Sequence, residues 1–249
     1  MAVTGLILVG FVVGHMVGNL KMYLGVLEHS GEAAYDMDIY AEFLRNLLVP
    51  IMPEGVFLWI LRGGLLAAIV LHIHSFYSLN RLNIASGSNY ASKQDWLAAN
   101  FASRSMRYTG LIVLAYIIFH IADLTIGVIP GYDFEHGAVQ SNVVSSLSNP
   151  IVAIFYIVAN ALLCLHIFHG MYSVFQSLGI NNPTINKMRT GIAAGIAGII
   201  LVGNLSFPIA ILAGAVEYRE CETELSVEEQ VDQNCVVPHS GGHSDSEEA

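Results

Sequence analysis

Charge is scarce in this sequence. Only 12% of its 249 residues are Asp, Glu, Lys or Arg, about half the share carried by soluble domains. The deficit falls in long apolar runs, which excludes a water-surrounded globule for most of the chain. Lys and Arg number ten against twenty acids, so no nucleic-acid partner is expected. Cysteine is nearly missing. Cys164 lies inside an apolar run and reads as a small filler. Cys221 and Cys235 share the C-terminal tail and can close a disulfide worth at most about 3 kcal/mol; two free thiols are the alternative. No basic stretch precedes Gly5 and no small-residue cleavage site follows the first apolar run, so that run reads as a retained helix.

What remains is apolar: 54% of the residues are hydrophobic. A membrane-spanning helix needs about 20 mostly apolar residues, and five segments meet this, at 4–27, 54–80, 106–130, 150–178 and 188–216. The expected fold is an all-α integral membrane bundle over residues 1–216, followed by an acidic tail at 217–249. Arg81, Lys93, Arg104 and Arg107 fall between helices two and three, and Lys187 and Arg189 between four and five. Glu28, Glu32, Asp36, Asp38, Glu42 and Glu54 lie between helices one and two, Asp133 and Glu135 between three and four, and ten acids in the tail. Lys and Arg mark the cytoplasmic side, which puts the N-terminus inside and the tail outside. The tail, rich in Ser and Gly near its end, reads as a mostly solvated extension. His239, His243 and Asp245 in it can bind a metal, but a flexible linker is the plainer reading.

Six of the ten histidines fall inside the spans: His15, His72, His74, His120, His166 and His169. An imidazole in hydrocarbon is costly and usually functional or paired. One alone is readily a satisfied core residue; six over four helices, with none in helix five, form a pattern. At a rise of about 1.5 Å per residue, His15 and His120 come out about half-way from the inner surface, and His72 and His166 at roughly a third to two-fifths. Two facing pairs result, the arrangement that clamps a haem between axial imidazoles on neighbouring helices. Gly10, Gly14 and Gly18 recur near His15, and Gly170 follows His166 by one turn. They suit a flat macrocycle or ordinary small-xxx-small packing, which Gly191 and Gly195 of helix five represent. His74 points away from His72. His169 shares the face of His166 and suits a propionate or another helix. Arg62, in the outer half of helix two, suits a propionate or snorkels to the surface. Arg81, Arg104 and Arg107 at the inner rim suit propionates, lipid phosphates or a partner protein. Asp123, one turn after His120, can hold a hydrogen bond or a proton near the outer pair.

This set resembles the single-chain, five-helix, di-haem cytochrome b subunit of succinate dehydrogenase and fumarate reductase. The likeness runs from Thr4 to Gly179. It rests on Gly14-His15 with Gly18-Asn19, on Arg62, His72 and Asn80-Arg81, and on Ser103-Arg104, Met106, Gly110 and His120. It continues with His166, His169-Gly170-Met171-Tyr172-Ser173 and Gln176-Ser177-Leu178-Gly179. The resemblance implies that His15 and His120 hold the iron of an outer, low-potential haem b and His72 and His166 that of an inner one. It implies a flavoprotein subunit carrying FAD and an iron–sulfur subunit on the cytoplasmic face. It also implies a quinone, menaquinone by analogy, as the other redox partner, and a bacterial plasma membrane as the location. The complex can assemble into a higher oligomer. Glu28, Glu32, Glu42 and Glu54, with His29 nearby, are the candidates for handling quinone protons.

Three other readings stand beside it. The haem subunit of membrane nitrate reductase draws ligands from its second and last helices, and helix five here has no histidine. A histidine-lined metal transporter or membrane metalloprotease needs donors converging on one ion, for example His-Glu-x-x-His, and that motif is missing. A haem-free anchor, its histidines bonded only to other helices, is the plainest alternative.

Overall fold

The structure, a computed structural model, describes residues 1–85, 93–180, 182–221 and 225–237, with the backbone alone at 83 and 93–104. The chain orders itself as α1 (Ala2–Asn19), a 3-10 turn (Leu20–Tyr23), β1 (Val26–His29), β2 (Glu32–Tyr35), α2 (Asp36–Asn46), α3 (Val56–Ala85) and α4 (Lys93–Ile121). A π-helical segment (Ala122–Ile126), α5 (Val139–Leu147), α6 (Pro150–Ser177), α7 (Pro183–Leu212) and α8 (Val227–Gln233) follow. Among the described residues, five helices are long and apolar enough to cross a membrane: Ala2–Tyr23, Val56–Leu82, Ser105–Ile126, Pro150–Ser177 and Pro183–Leu212. This is the expected all-α membrane bundle. α4 begins well before its span, so Arg104 and Arg107 ride on a helix and not in a loop as expected.

Local chemistry sets several boundaries. Asn149 and Asn182 cap α6 and α7 by accepting from the amides of Ile151 and Ile185, with proline at the start of each helix. α1 stops short of residue 27 because Gly25, at φ +70°, turns the chain into the β1–β2 hairpin. Gly127 ends the π segment at φ +74°, and a Cβ there would collide with the ring of Phe134.

Close backbone contacts join α6 with α7, α4 with α6, α1 with α3, and α1 with α6 and α7. Met16 of α1 seats against Gly203 of α7, where a side chain would overlap its sulfur. The pairs α1–α4 and α3–α6 lie across the bundle from one another with little or no close backbone contact.

One end of the bundle carries a folded cap. The hairpin, α2, α5 and the tail converge there, where expectation had only loops. Lys21 pairs with the buried carboxylate of Asp36 at 2.9 Å. The tail is corrected most. Its described residues between 217 and 237 pack on the hairpin instead of trailing into water. Cys221 and Cys235 are disulfide-bonded, and Ser226 and Glu229 form a capping box at the start of α8. The Asn234 side chain accepts from the Val26 amide at 2.8 Å, and the Arg219 amide donates to the Tyr35 hydroxyl at 2.9 Å. Backbone pairing of this kind consumes donors that a solvated tail would leave to water. His239, His243 and Asp245 lie outside the described residues.

Candidate functional site

α1 brings His15 to the capped end, and α4 brings His120 opposite it. Their ring centroids stand 5.8 Å apart with planes at 82°. A metal–imidazole bond is about 2 Å and the ring centre lies about 1 Å behind its nitrogen, so two axial imidazoles sit roughly 6 Å apart, centre to centre. The observed pair matches that spacing. His15 is deep among protein atoms and yet touches open space. Gly14 beside it, Gly10 one turn earlier and Gly170 on α6 also border open space, whereas Gly18 presses on the Tyr40 ring.

The second pair, His72 and His166, are electrostatic neighbours across the bundle. Each is held the same way. The Thr4 hydroxyl lies 3.1 Å from His72 Nδ1, and a Cβ at Gly5 would come within 3.4 Å of the same ring. The Thr109 hydroxyl lies 3.2 Å from His166 Nδ1, and a Cβ at Gly110 would come within 3.3 Å of that ring. Tying Nδ1 down leaves Nε2 free to ligate, the usual way a protein orients a ligand histidine. These threonines were missed in the sequence, though their signal is there. Thr4-Gly5-Leu6-Ile7 recurs as Thr109-Gly110-Leu111-Ile112, and each threonine precedes a histidine, His15 or His120, by eleven residues. Eleven residues are about 16 Å of helix. The two histidine levels are thus further apart than span arithmetic suggests, because His72 meets the very start of α1.

The other candidates divide. His169 stays near His166, and its Nε2 is buried with no hydrogen-bond partner among the described residues. His74 is exposed, as its spacing from His72 requires. Arg62 is exposed, its guanidinium 4.9 Å from the Trp59 ring, the geometry of the snorkelling reading. Arg81 and Arg107 are exposed at the uncapped end; the Arg104 side chain lies outside the described residues. Arg189 donates to the Tyr172 hydroxyl at 2.6 Å and covers its ring. Glu28, Glu32, Glu42 and Glu54 are all exposed on the cap. The buried acids are Asp36 and Asp123, with Asp38 half-buried. Burial raises the Asp38 carboxyl above the usual carboxylate range, although the amides of Gln140 and Val139 oppose the shift. Among the described residues, no three His, Cys, Asp or Glu side chains gather into a group suited to a metal ion.

Residues 96–205 match the model of the succinate dehydrogenase/fumarate reductase transmembrane subunit family. The match covers less than half of the chain, which is similar to that family over this stretch. No curated protein and no solved structure matches it. The matched stretch holds α4, α5, α6 and most of α7, with His120 and His166 among its residues.

Proposed function

We propose that this chain is the membrane subunit of a succinate dehydrogenase/fumarate reductase complex, a di-haem cytochrome b that passes electrons between an iron–sulfur subunit and a quinone. The observation that carries the reading is the presence of two facing histidine pairs, each spanning a diagonal of the bundle. His15 and His120 would hold one haem iron and His72 and His166 the other. When bound, the haems supply one-electron carriers along the bundle axis. The chain's own part is to hold four imidazoles with Nε2 free, to keep α1–α4 and α3–α6 apart, and to exclude water from the space between. His169 offers a buried donor to a propionate of the His72–His166 haem.

The exposed Arg81 and Arg107, with Lys187, make the uncapped end basic, and the cap holds most of the acids. By the positive-inside tendency the uncapped end faces the cytoplasm of a bacterium. The iron–sulfur subunit, and behind it the FAD-carrying flavoprotein, would dock there. The quinone, menaquinone by family analogy, would react at the capped end near His15 and His120.

A visible spectrum tests the reading. The purified, reduced protein is expected to give a b-type band with about two haems per chain. A colourless preparation that still supports succinate–quinone activity would leave only the haem-free anchor.

A further inference from the structure

Asp123 is 1% exposed. The π segment after α4 turns it inward, three residues beyond His120. No basic side chain among the described residues lies within ion-pair distance of it; hydroxyls surround it instead. Ser146 of α5 donates to Oδ2 at 2.6 Å and Tyr156 of α6 donates to Oδ2 at 2.9 Å, while the Tyr132 hydroxyl is shared between the Asp123 carbonyl oxygen at 2.9 Å and Oδ1 at 3.1 Å. A tyrosine hydroxyl has a single proton, and Tyr156 gives its own to Asp123 Oδ2. The lone pairs of the Tyr156 oxygen are then free, and His120 Nδ1 lies 3.4 Å away. The neutral imidazole that suits this partner carries its proton on Nδ1 and its lone pair on Nε2. A second chain of polar groups steadies the arrangement. Asn204 of α7 donates to Asn160, which donates to the Tyr116 hydroxyl, and the Tyr116 ring lies 5.8 Å from that of His120. Among the described residues His15 has no matching polar support: Phe11 stacks on it at 5.4 Å.

We infer that Asp123, acting through Tyr156, is a positioning residue that fixes the tautomer of His120 and makes it a more electron-rich ligand. It thereby lowers the reduction potential of the haem between His15 and His120. The inference rests on the di-haem reading. It ties the cap to the redox centre, because Ser146 and Tyr132 belong to the cap and its loop. The physical basis is that an acceptor on the far nitrogen of a ligand histidine raises its basicity, which favours the oxidised iron.

The test is an optical redox titration of both haems in the assembled complex. Tyr156→Phe keeps the ring and removes the hydroxyl. It is expected to raise the midpoint of the His15–His120 haem, with the reduced-to-oxidised ratio at fixed potential rising about tenfold, which is ~59 mV for one electron. The His72–His166 haem serves as an internal reference and stays put. Should Tyr156→Phe assemble without the first haem, Asp123→Asn carries the test, with a smaller rise expected. Unchanged midpoints with both haems present would overturn the inference. A wild-type protein without haem would overturn the di-haem reading instead.

Discussion

The two histidine pairs are built by different means. His72 and His166 each lean on a Thr-Gly step of a partner helix, and all four supporting residues belong to transmembrane helices. His120 leans on a tyrosine whose proton goes to a buried carboxylate, and that carboxylate is held by α5 and by Tyr132 outside the spans. The first pair depends on how closely two helices approach. The second depends on a folded cap. A ligand site inside a bundle can therefore be a product of helix packing alone, or of a structure reaching in from the membrane surface.

The largest effect expected of any change is loss of a haem. Replacing His15 or His120 by Ala should remove one haem per chain and keep the other, and replacing His72 or His166 should do the reverse, read by haem content. Loss of both haems from one substitution would break the comparison, since the sites would not be separable. Next comes the disulfide. Cys221→Ser with Cys235→Ser opens a loop closed across 14 residues, at a cost of about 3 kcal/mol borne by the cap. Limited proteolysis should then cut the tail, while the His72–His166 haem keeps its spectrum. A change confined to that haem would argue that the cap supports the wrong pair.

Gly110→Val probes the helix-packing pair. A Cβ 3.3 Å from His166 Cε1 must displace the ring or the helix, and overpacking of this kind costs about 1–3 kcal/mol. Occupancy of the His72–His166 haem should fall about tenfold, with the other haem unaffected. The smallest effect concerns Asp38. Its pKa is raised on folding, first by burial, so it favours the folded cap fully below the usual carboxylate pKa. That contribution is lost as pH rises through the raised value. Asp38→Asn should remove this part of the pH dependence of cap unfolding, followed by protection of the tail against protease between acid and neutral pH.

Much of the site was legible before any coordinates. The spans followed from apolar length, and spacing sorted His15 with His120 and His72 with His166 by depth, because a helix converts residue number into depth and face. The outward turn of His74 followed for the same reason. The cap did not. Its acids looked like solvated loops, since a hairpin of four-residue strands and short helices carries no hydrophobic period strong enough to stand out. The tail looked disordered because its composition is acidic, yet Asn234, Tyr35 and the Cys221–Cys235 bridge bind it through backbone groups that composition does not report. The exposed Arg62 likewise depends on which way α3 turns, and that is settled by its packing on α1 and α2.

By itself, the sequence determined that this chain lives in a membrane as five apolar helices and that four of them carry imidazoles at two depths. Those are consequences of length, polarity and helical period, which are local. Only the tertiary structure decided which hydroxyls meet those imidazoles, that Asp123 is buried among three of them, and that the acidic segments fold into a cap. Each of these is a contact between residues far apart in the chain, and such contacts depend on how the helices turn and pack together.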